Sequence, residues 1–417
     1  MSERSVVIVG AGIVGICIAF HLKRAGYSVT LLDMDDPARR CSFGNAGALS
    51  EHSVAPLAMP GILRSAVSML LRPSSPLSVQ TSYWLKVGPW LWRFAMSAGR
   101  KQVMRAASSL HGLLDGSIEH HVAMAREVGC LDLIRRNGQL HVYPNDRMRQ
   151  ADAESWCLKK RFGLRMELVG RAEIRDLEPA LNESYTVGWY LPGEAWVSDP
   201  YGYARCIVDF ATQMGVTFER AAVRSISTGK SGWVASDGIR DWTARHLIVA
   251  AGSWSKELLK PLGLSVPLEA QRGYHLQAKS GTEASVNRVV VLADRKVFIT
   301  PTKHGVRAAG TVEFGGLVKP SNPARLDALS SHVRAGFGKA LFGVEEPATW
   351  MGHRPCLPDS MPVIGPVPDR PGLWCAFGHG HLGLTGSVNT ARHLTGMMTG
   401  HMDGHVLAPF SIQRFLA

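Results

Sequence analysis

Ser5 to Val9 is a β-branched run that leads directly into Gly10-Ala11-Gly12-Ile13-Val14-Gly15. No other feature of the chain restricts its fold as much. An apolar run without polar alternation reads as a parallel strand buried on both faces. Residues 13–25 then repeat apolar side chains at helical spacing and stop at Gly26. Ser28 to Leu32 is a second strand, ending at Asp33. Strand, glycine loop, helix, strand and acid together make one βαβ unit with a dinucleotide fingerprint. Gly10 makes the turn, Gly12 lets the backbone approach a pyrophosphate, and Gly15 lets the helix pack on the strand. The helix start at Ile13 and Val14 turns free N–H groups and a positive dipole end toward the phosphates. Asp33 stands where a carboxylate accepts hydrogen bonds from ribose hydroxyls.

The remainder of the 417 residues reads as an α/β lobe interleaved with a mostly β lobe. Short proline-broken amphipathic helices are expected over Leu57–Ala98, then one long helix over Met104–Val128. A hairpin is expected over Leu133–Tyr143, turning at Asn137-Gly138. A helix starts at Asp199-Pro200, and short strands follow at 216–219, 222–227 and 233–235. An apolar strand at 246–250 ends in Ala251-Gly252-Ser253-Trp254. Alternating strands recur between Gly273 and Phe314, and the last helix spans about 383–400.

The formal charge of +12 suits an anionic substrate or lipid surface. Its basic clusters lack the interleaved aromatics of a single-strand platform, so nucleic acid is not expected as a partner. The seven cysteines form no CxxC pair, which argues for free thiols in a reducing compartment and against a metal site. No run of eighteen uncharged apolar residues and no secretory leader is present, so a cytoplasmic location is expected, with peripheral contact on the inner membrane face as an extension.

Two later segments bear on which dinucleotide binds. The segment 40–47 is rich in small residues, including Ser42, Ala46 and Gly47 beside Asn45, and permits close contact with a large flat ligand. Gly378-His379-Gly380-His381-Leu382-Gly383-Leu384-Thr385 precedes a helix whose N-terminus suits the edge of a flavin that gains negative charge on reduction.

These segments, with the run Gly352-His353-Arg354-Pro355-Cys356-Leu357-Pro358-Asp359-Ser360-Met361-Pro362-Val363-Ile364-Gly365, resemble the D-amino-acid oxidase superfamily of flavoproteins over essentially the full length. Within it the chain looks most like the D-amino-acid and D-hydroxyproline dehydrogenases. The resemblance implies a Rossmann-like FAD-binding lobe interleaved with a mostly antiparallel β substrate lobe, the architecture shared by D-amino-acid oxidase and glutathione reductase. FAD would be held without a covalent link. Residues 1–56, 145–265 and 352–417 would form its lobe. Residues 57–144 and 266–351 would form the substrate lobe, with 57–98 as a membrane-docking or active-site cap segment.

The resemblance also implies residue roles. Backbone groups around Val223 and Gly252 should lie near the adenine half, and Ala251 and Trp254 are also expected to bind the cofactor. Asn45, Ala46 and Gly47 should line the isoalloxazine, with the loop Gly380, His381, Gly383, Leu384 and Thr385 beside it. Arg354 should grip the substrate carboxylate, since a planar guanidinium holds it bidentately. On the strand at 272–275, alternation sends Tyr274 and His275 to opposite faces, and Tyr274 is expected to face the pocket. His52 is a further candidate. Two departures stand out: Asp33 where relatives carry Glu, and Cys41 where they carry Thr or Ser, so that a hydroxyl contact from position 41 is lost.

The reaction implied is hydride transfer from Cα to flavin N5, giving an imine from a D-amino acid, with D-proline or cis-4-hydroxy-D-proline foremost. Sarcosine or glycine oxidation is the alternative, and a flavin-bearing nucleic-acid-modifying protein stands as a reading of a different class. The electron acceptor is a quinone, another carrier or oxygen.

Overall fold

A computed structural model describes residues 3–61, 75, 77–278, 285–338, 341 and 346–416. Its organising element is a six-stranded sheet. The strands run in the order Thr217–Arg220, Ser28–Asp33, Ser5–Val9, His246–Val249, Leu373–Phe377, Val363–Pro366. All neighbours are parallel except the last pair. Val6, Val7, Ile8 and Val9 are all buried, because both faces of the sheet are covered. On one face the helices Ile13–Arg24, Pro200–Gln213 and Ser387–Met398 pack together, and Ile16, Cys17, Ile18 and Ala19 have no exposed surface. On the other lies an antiparallel meander, Ser225–Gly229, Gly232–Ser236 and Asp241–Ala244, with Trp233 and Ile226 in the interface. Burying a side chain such as Ile8 contributes about 1.5–3 kcal/mol, which is why an unbroken apolar run specifies a central strand.

The second sheet has nine strands and is mainly antiparallel. Its path runs Ala348–Cys356, Glu269–Gln277, Gly305–Phe314, Val297–Thr302, Val289–Leu292, Gln139–Tyr143, Val187–Leu191, Glu167–Gly170, with Leu77–Val79 also pairing Gly305–Phe314. The helix Pro323–Phe337 covers one face. A small sheet of Ala48–Leu49, Ala195–Val197 and Ile134–Arg135 joins the lobes.

Several expectations are corrected. The long helix is two, Arg100–Leu114 and Ser117–Glu127, because Asp115 turns to an extended ψ and Gly116 sits at φ +65°. Asn137-Gly138 does not turn a hairpin, since Ile134–Arg135 and Gln139–Tyr143 lie in different sheets. The Asn137 side chain instead bridges Trp196 Nε1, at 2.7 Å, and the Asn287 carbonyl, also at 2.7 Å. The lobes also divide elsewhere. Strands at 167–170 and 187–191 belong to the wide sheet, whereas the helices at 100–127 share the core under the six-stranded sheet. Part of the 57–98 segment, residues 62–74 and 76, lies outside the described residues. No helix among the described residues is long and apolar enough to cross a membrane.

Candidate functional site

A cavity of about 410 Å³ opens at the C-terminal ends of the parallel strands, where open α/β sheets bind ligands. Gly10, Gly12, Ile13, Val14, Asp33, Ser42 and Asn45 border it from the N-terminal unit. Val223, Ala251, Gly252 and Trp254 border it from the middle of the chain, and Gly380, Gly383 and Leu384 from the last glycine loop. Gly15, Ala46, Gly47, His381 and Thr385 do not, and neither do the four substrate-contact candidates.

The glycine loop is clasped from two sides. Gly10 has φ +115°, and a Cβ there would run into the Ala250 carbonyl, so only glycine fits. The Ala11 N–H donates to Asp33 Oδ2 at 2.7 Å and the Asp35 N–H to Oδ1 at 3.0 Å. Burial raises the Asp33 pKa, and these two donors oppose that rise. Ser42 Oγ accepts the Ile13 N–H at 2.9 Å, tying the 40–47 segment to the helix start. The Cys41 thiol donates to the His353 carbonyl at 2.9 Å, so this departure makes a contact of its own.

The 43–47 backbone is held by a residue that sequence reasoning missed. Arg307 Nη1 donates to the Phe43 carbonyl at 3.0 Å and to the Asn45 carbonyl at 2.7 Å. A lone cation beside Ala308 and Ala309 in a buried strand was the available signal. His275 Nδ1 lies 3.2 Å from the Gly44 carbonyl, and its ring stacks on Trp350 at 5.0 Å. Burial takes the His275 pKa down to about 3, so the imidazole is neutral.

Arg354 lies on the strand Ala348–Cys356, between His353 and Pro355, which border the cavity. Its guanidinium rests on Gly273, where any Cβ would overlap it. Arg354 Nη1 donates to the Thr311 carbonyl at 3.1 Å. That carbonyl is available because the ladder slips: Tyr274 faces Gly310 and Arg272 faces Glu313, leaving Thr311 and Val312 opposite Gly273 alone. This is a β-bulge with Thr311 at φ +55°, a left-handed conformation that costs a β-branched residue about 1–2 kcal/mol. Strain of this kind persists where surrounding structure imposes it.

No carboxylate pairs with Arg354 among the described residues, and burial pushes its pKa below the usual value. Close by, His381 keeps open surface while surrounding protein desolvates its ring and lowers its pKa to about 4. The charges of Arg354 and Lys159 act in the same direction on the His381 ring.

The other candidates are engaged elsewhere. Tyr274 is buried in the core beneath Pro323–Phe337, where its hydroxyl donates to Glu313 Oε2 at 2.6 Å. Of the pair, His275 takes the cofactor-loop side and Tyr274 the helix side, which corrects the expected order. His52 Nδ1 lies 3.2 Å from Glu194 Oε1, and that hydrogen bond raises the His52 pKa. A second cavity of about 500 Å³, lined by charged residues such as Asp35, Arg39 and Arg220, shares Cys41, Trp254 and His353 with the first.

The residues present fit an FAD. The glycine loop leaves room for a pyrophosphate, and the N–H groups of Gly383, Leu384 and Thr385 have no acceptor among the described residues. No group of three or more metal-ligating side chains exists among those residues.

Comparison with known proteins agrees with this geometry. The model of a family described as DAO, FAD dependent oxidoreductase, matches residues 5–397. A D-amino-acid oxidase of Bradyrhizobium diazoefficiens is 35% identical, with 99% of each chain covered. A D-amino acid dehydrogenase of Dechloromonas aromatica is 31% identical over 95% of this chain and 97% of its own. Among solved structures, a glycine oxidase from Geobacillus kaustophilus superposes with a TM-score of 0.75 at 21% identity, covering 99% of each chain. An L-proline dehydrogenase from P. horikoshii also reaches 0.75, at 16% identity, covering 100% of this chain and 99% of that one.

Proposed function

We propose, since this chain belongs to the FAD-dependent oxidoreductase family, that it oxidises the Cα–N bond of a D-amino acid, with D-proline or cis-4-hydroxy-D-proline as substrate. The carrying observation is Arg354: a desolvated guanidinium with no acidic partner among the described residues, seated on Gly273 and aligned by the Thr311 carbonyl. Its remaining N–H donors suit a carboxylate, and one fixed carboxylate fixes the Cα.

Bound FAD supplies a two-electron acceptor for the Cα hydride. The chain's own part is to hold and orient. Arg354 neutralises the carboxylate. Arg307 and the neutral His275 keep the 43–45 backbone rigid beside the cavity. No side chain is assigned as a base, because a substrate amine that arrives neutral needs no proton removed before hydride loss. The imine product hydrolyses, and a cyclic substrate gives a pyrroline carboxylate. With the carboxylate and Cα–H both fixed, only one enantiomer places its ring in the free space.

The acceptor that reoxidises the protein is read as a membrane quinone. The helix Trp84–Met96 supports this reading. Val87 and Trp90 face inward, where Trp90 Nε1 donates to the Cys356 carbonyl at 3.3 Å. On the outer side Leu85 is 95% exposed, Trp92 69% and Met96 61%. An exposed apolar ridge with Lys86 and Arg93 beside it suits an anionic lipid surface. Vesicles rich in anionic lipid should sediment the protein, and Trp92→Glu should release it; equal sedimentation of both would remove the membrane reading.

The substrate test is anaerobic stopped-flow flavin bleaching with D- and L-proline, both hydroxyproline epimers, sarcosine and glycine. The D-imino acids should reduce fastest. Faster reduction by L-proline or sarcosine would overturn the substrate and leave the family intact.

A further inference from the structure

The turn before the helix Ser387–Met398 presents amides on one side and is gripped by its carbonyls on the other. Gly383 and Leu384 border the cofactor cavity. The grip comes from His121, which has no exposed surface and sits on the helix Ser117–Glu127. Its Nε2 lies 2.9 Å from the Leu384 carbonyl oxygen and 3.2 Å from that of Thr385. Carbonyls only accept, so Nε2 carries the proton. Nδ1 is then an acceptor and takes the hydroxyl proton of Tyr203, 2.8 Å away. Tyr203 is equally buried, on the helix Pro200–Gln213. Burial takes the His121 pKa down to about 4, so the ring stays neutral near pH 7 and the tautomer is set by its partners.

This arrangement has a directional consequence. In a planar trans peptide the C=O and N–H point opposite ways. Holding the Leu384 carbonyl toward His121 therefore directs the Thr385 N–H away from it. Ser387 Oγ and N–H also reach the Leu384 oxygen, at 2.8 and 3.2 Å, but Ser387 moves with the turn. His121 and Tyr203 belong to two other helices and fix the turn against the body of the lobe.

We propose that His121, locked in its Nε2–H form by Tyr203, is a positioning residue that fixes the 383–385 turn, whose Gly383 and Leu384 border the cavity and whose Thr385 N–H is turned away from the His121 side, and so raises the reduction potential of the bound FAD. It rests on the family's FAD occupying this cavity. Oriented amides stabilise negative charge only if they are already in place when it develops.

The experiment is a redox titration of the holoenzyme for wild type, Tyr203→Phe, His121→Gln and His121→Phe, with thermal melts alongside. His121→Phe should lower the equilibrium constant for flavin reduction about tenfold, which is about 30 mV for a two-electron couple. His121→Gln keeps an N–H donor for the carbonyls and should recover at least half of that shift. Tyr203→Phe removes one oxygen, releases the tautomer, and should shift the potential in the same direction by less. If His121→Phe does not fold, Tyr203→Phe and His121→Gln decide. Lower melting temperatures with potentials equal to wild type would overturn the proposal by reducing His121 to a structural role. Wild-type protein that purifies without FAD would instead overturn the cofactor site.

Discussion

The glycine-loop end of the cavity is made by one continuous stretch, residues 5–33, whereas the Arg354 end is assembled from strands holding residues 273, 311 and 354. At the first end the backbone itself is the binding surface, and its demands are steric. At the second, the proposed binding falls to one side chain, Arg354, which Gly273 and the Thr311 carbonyl aim. A change at the first end should therefore be all-or-none in cofactor loading, and a change at the second graded in kinetics with the cofactor still bound.

The largest effect expected is from Gly10→Ala. The added Cβ meets backbone at Ala250, which cannot yield cheaply, and φ +115° is closed to alanine. No FAD-loaded protein should be recovered; a yellow protein with normal spectrum would break the contrast at its strong end. Next is Arg354→Ala, which should keep its flavin spectrum while kcat/KM falls by about 2–4 kcal/mol, roughly thirty- to a thousandfold. Arg354→Lys should rescue poorly because one ammonium cannot reproduce the planar fork. Unchanged kinetics in the alanine variant would remove Arg354 from the site.

Gly273→Ala sharpens the comparison. The atom it meets is the far end of the Arg354 side chain, so the fold tolerates it but the guanidinium must move. KM should rise roughly tenfold, about 1.4 kcal/mol, with little change in melting temperature. A large loss of stability instead would mean that the cradle is structural. The smallest effect is expected from Tyr274→Phe. Its hydroxyl serves Glu313 and the Asn322 N–H in the core, so the loss should be about 1 kcal/mol of stability with KM and kcat unchanged. A KM shift there would return Tyr274 to the pocket.

The same contrast explains what could be read in advance. The turn at Gly10, the helix start and Asp33 are legible because strand, glycine loop, helix and acid follow one another within residues 5–33. Arg354 was reached through a resemblance, and nothing local marks it. Alternation separated Tyr274 from His275 correctly, but which one meets the cofactor lobe depends on how the sheet packs. Arg307 and Thr311 were missed because their roles exist only in register with distant strands: one reaches back to residues 43 and 45, the other is a bulge opposite Gly273. The Asn137-Gly138 pair was misread for a related reason. Its turn chemistry is local, but Trp196 and Asn287 claim the Asn137 side chain.

The strand order has a consequence for how the protein comes into being. Ser5–Val9 is made long before its sheet is complete: one of its two partners begins at His246, and that partner's other neighbour begins at Leu373. At ~5–20 residues per second, the first strand waits on the order of tens of seconds for that layer to close. Until then its apolar faces lack their cover, and such long-range pairing is intrinsically slow and aggregation-exposed. The loop at 378–385 arrives later still, so the cofactor cavity cannot be complete before that loop has emerged. A chain stopped short of Leu373 would be an uncapped sheet and a substrate for chaperones, not a smaller enzyme.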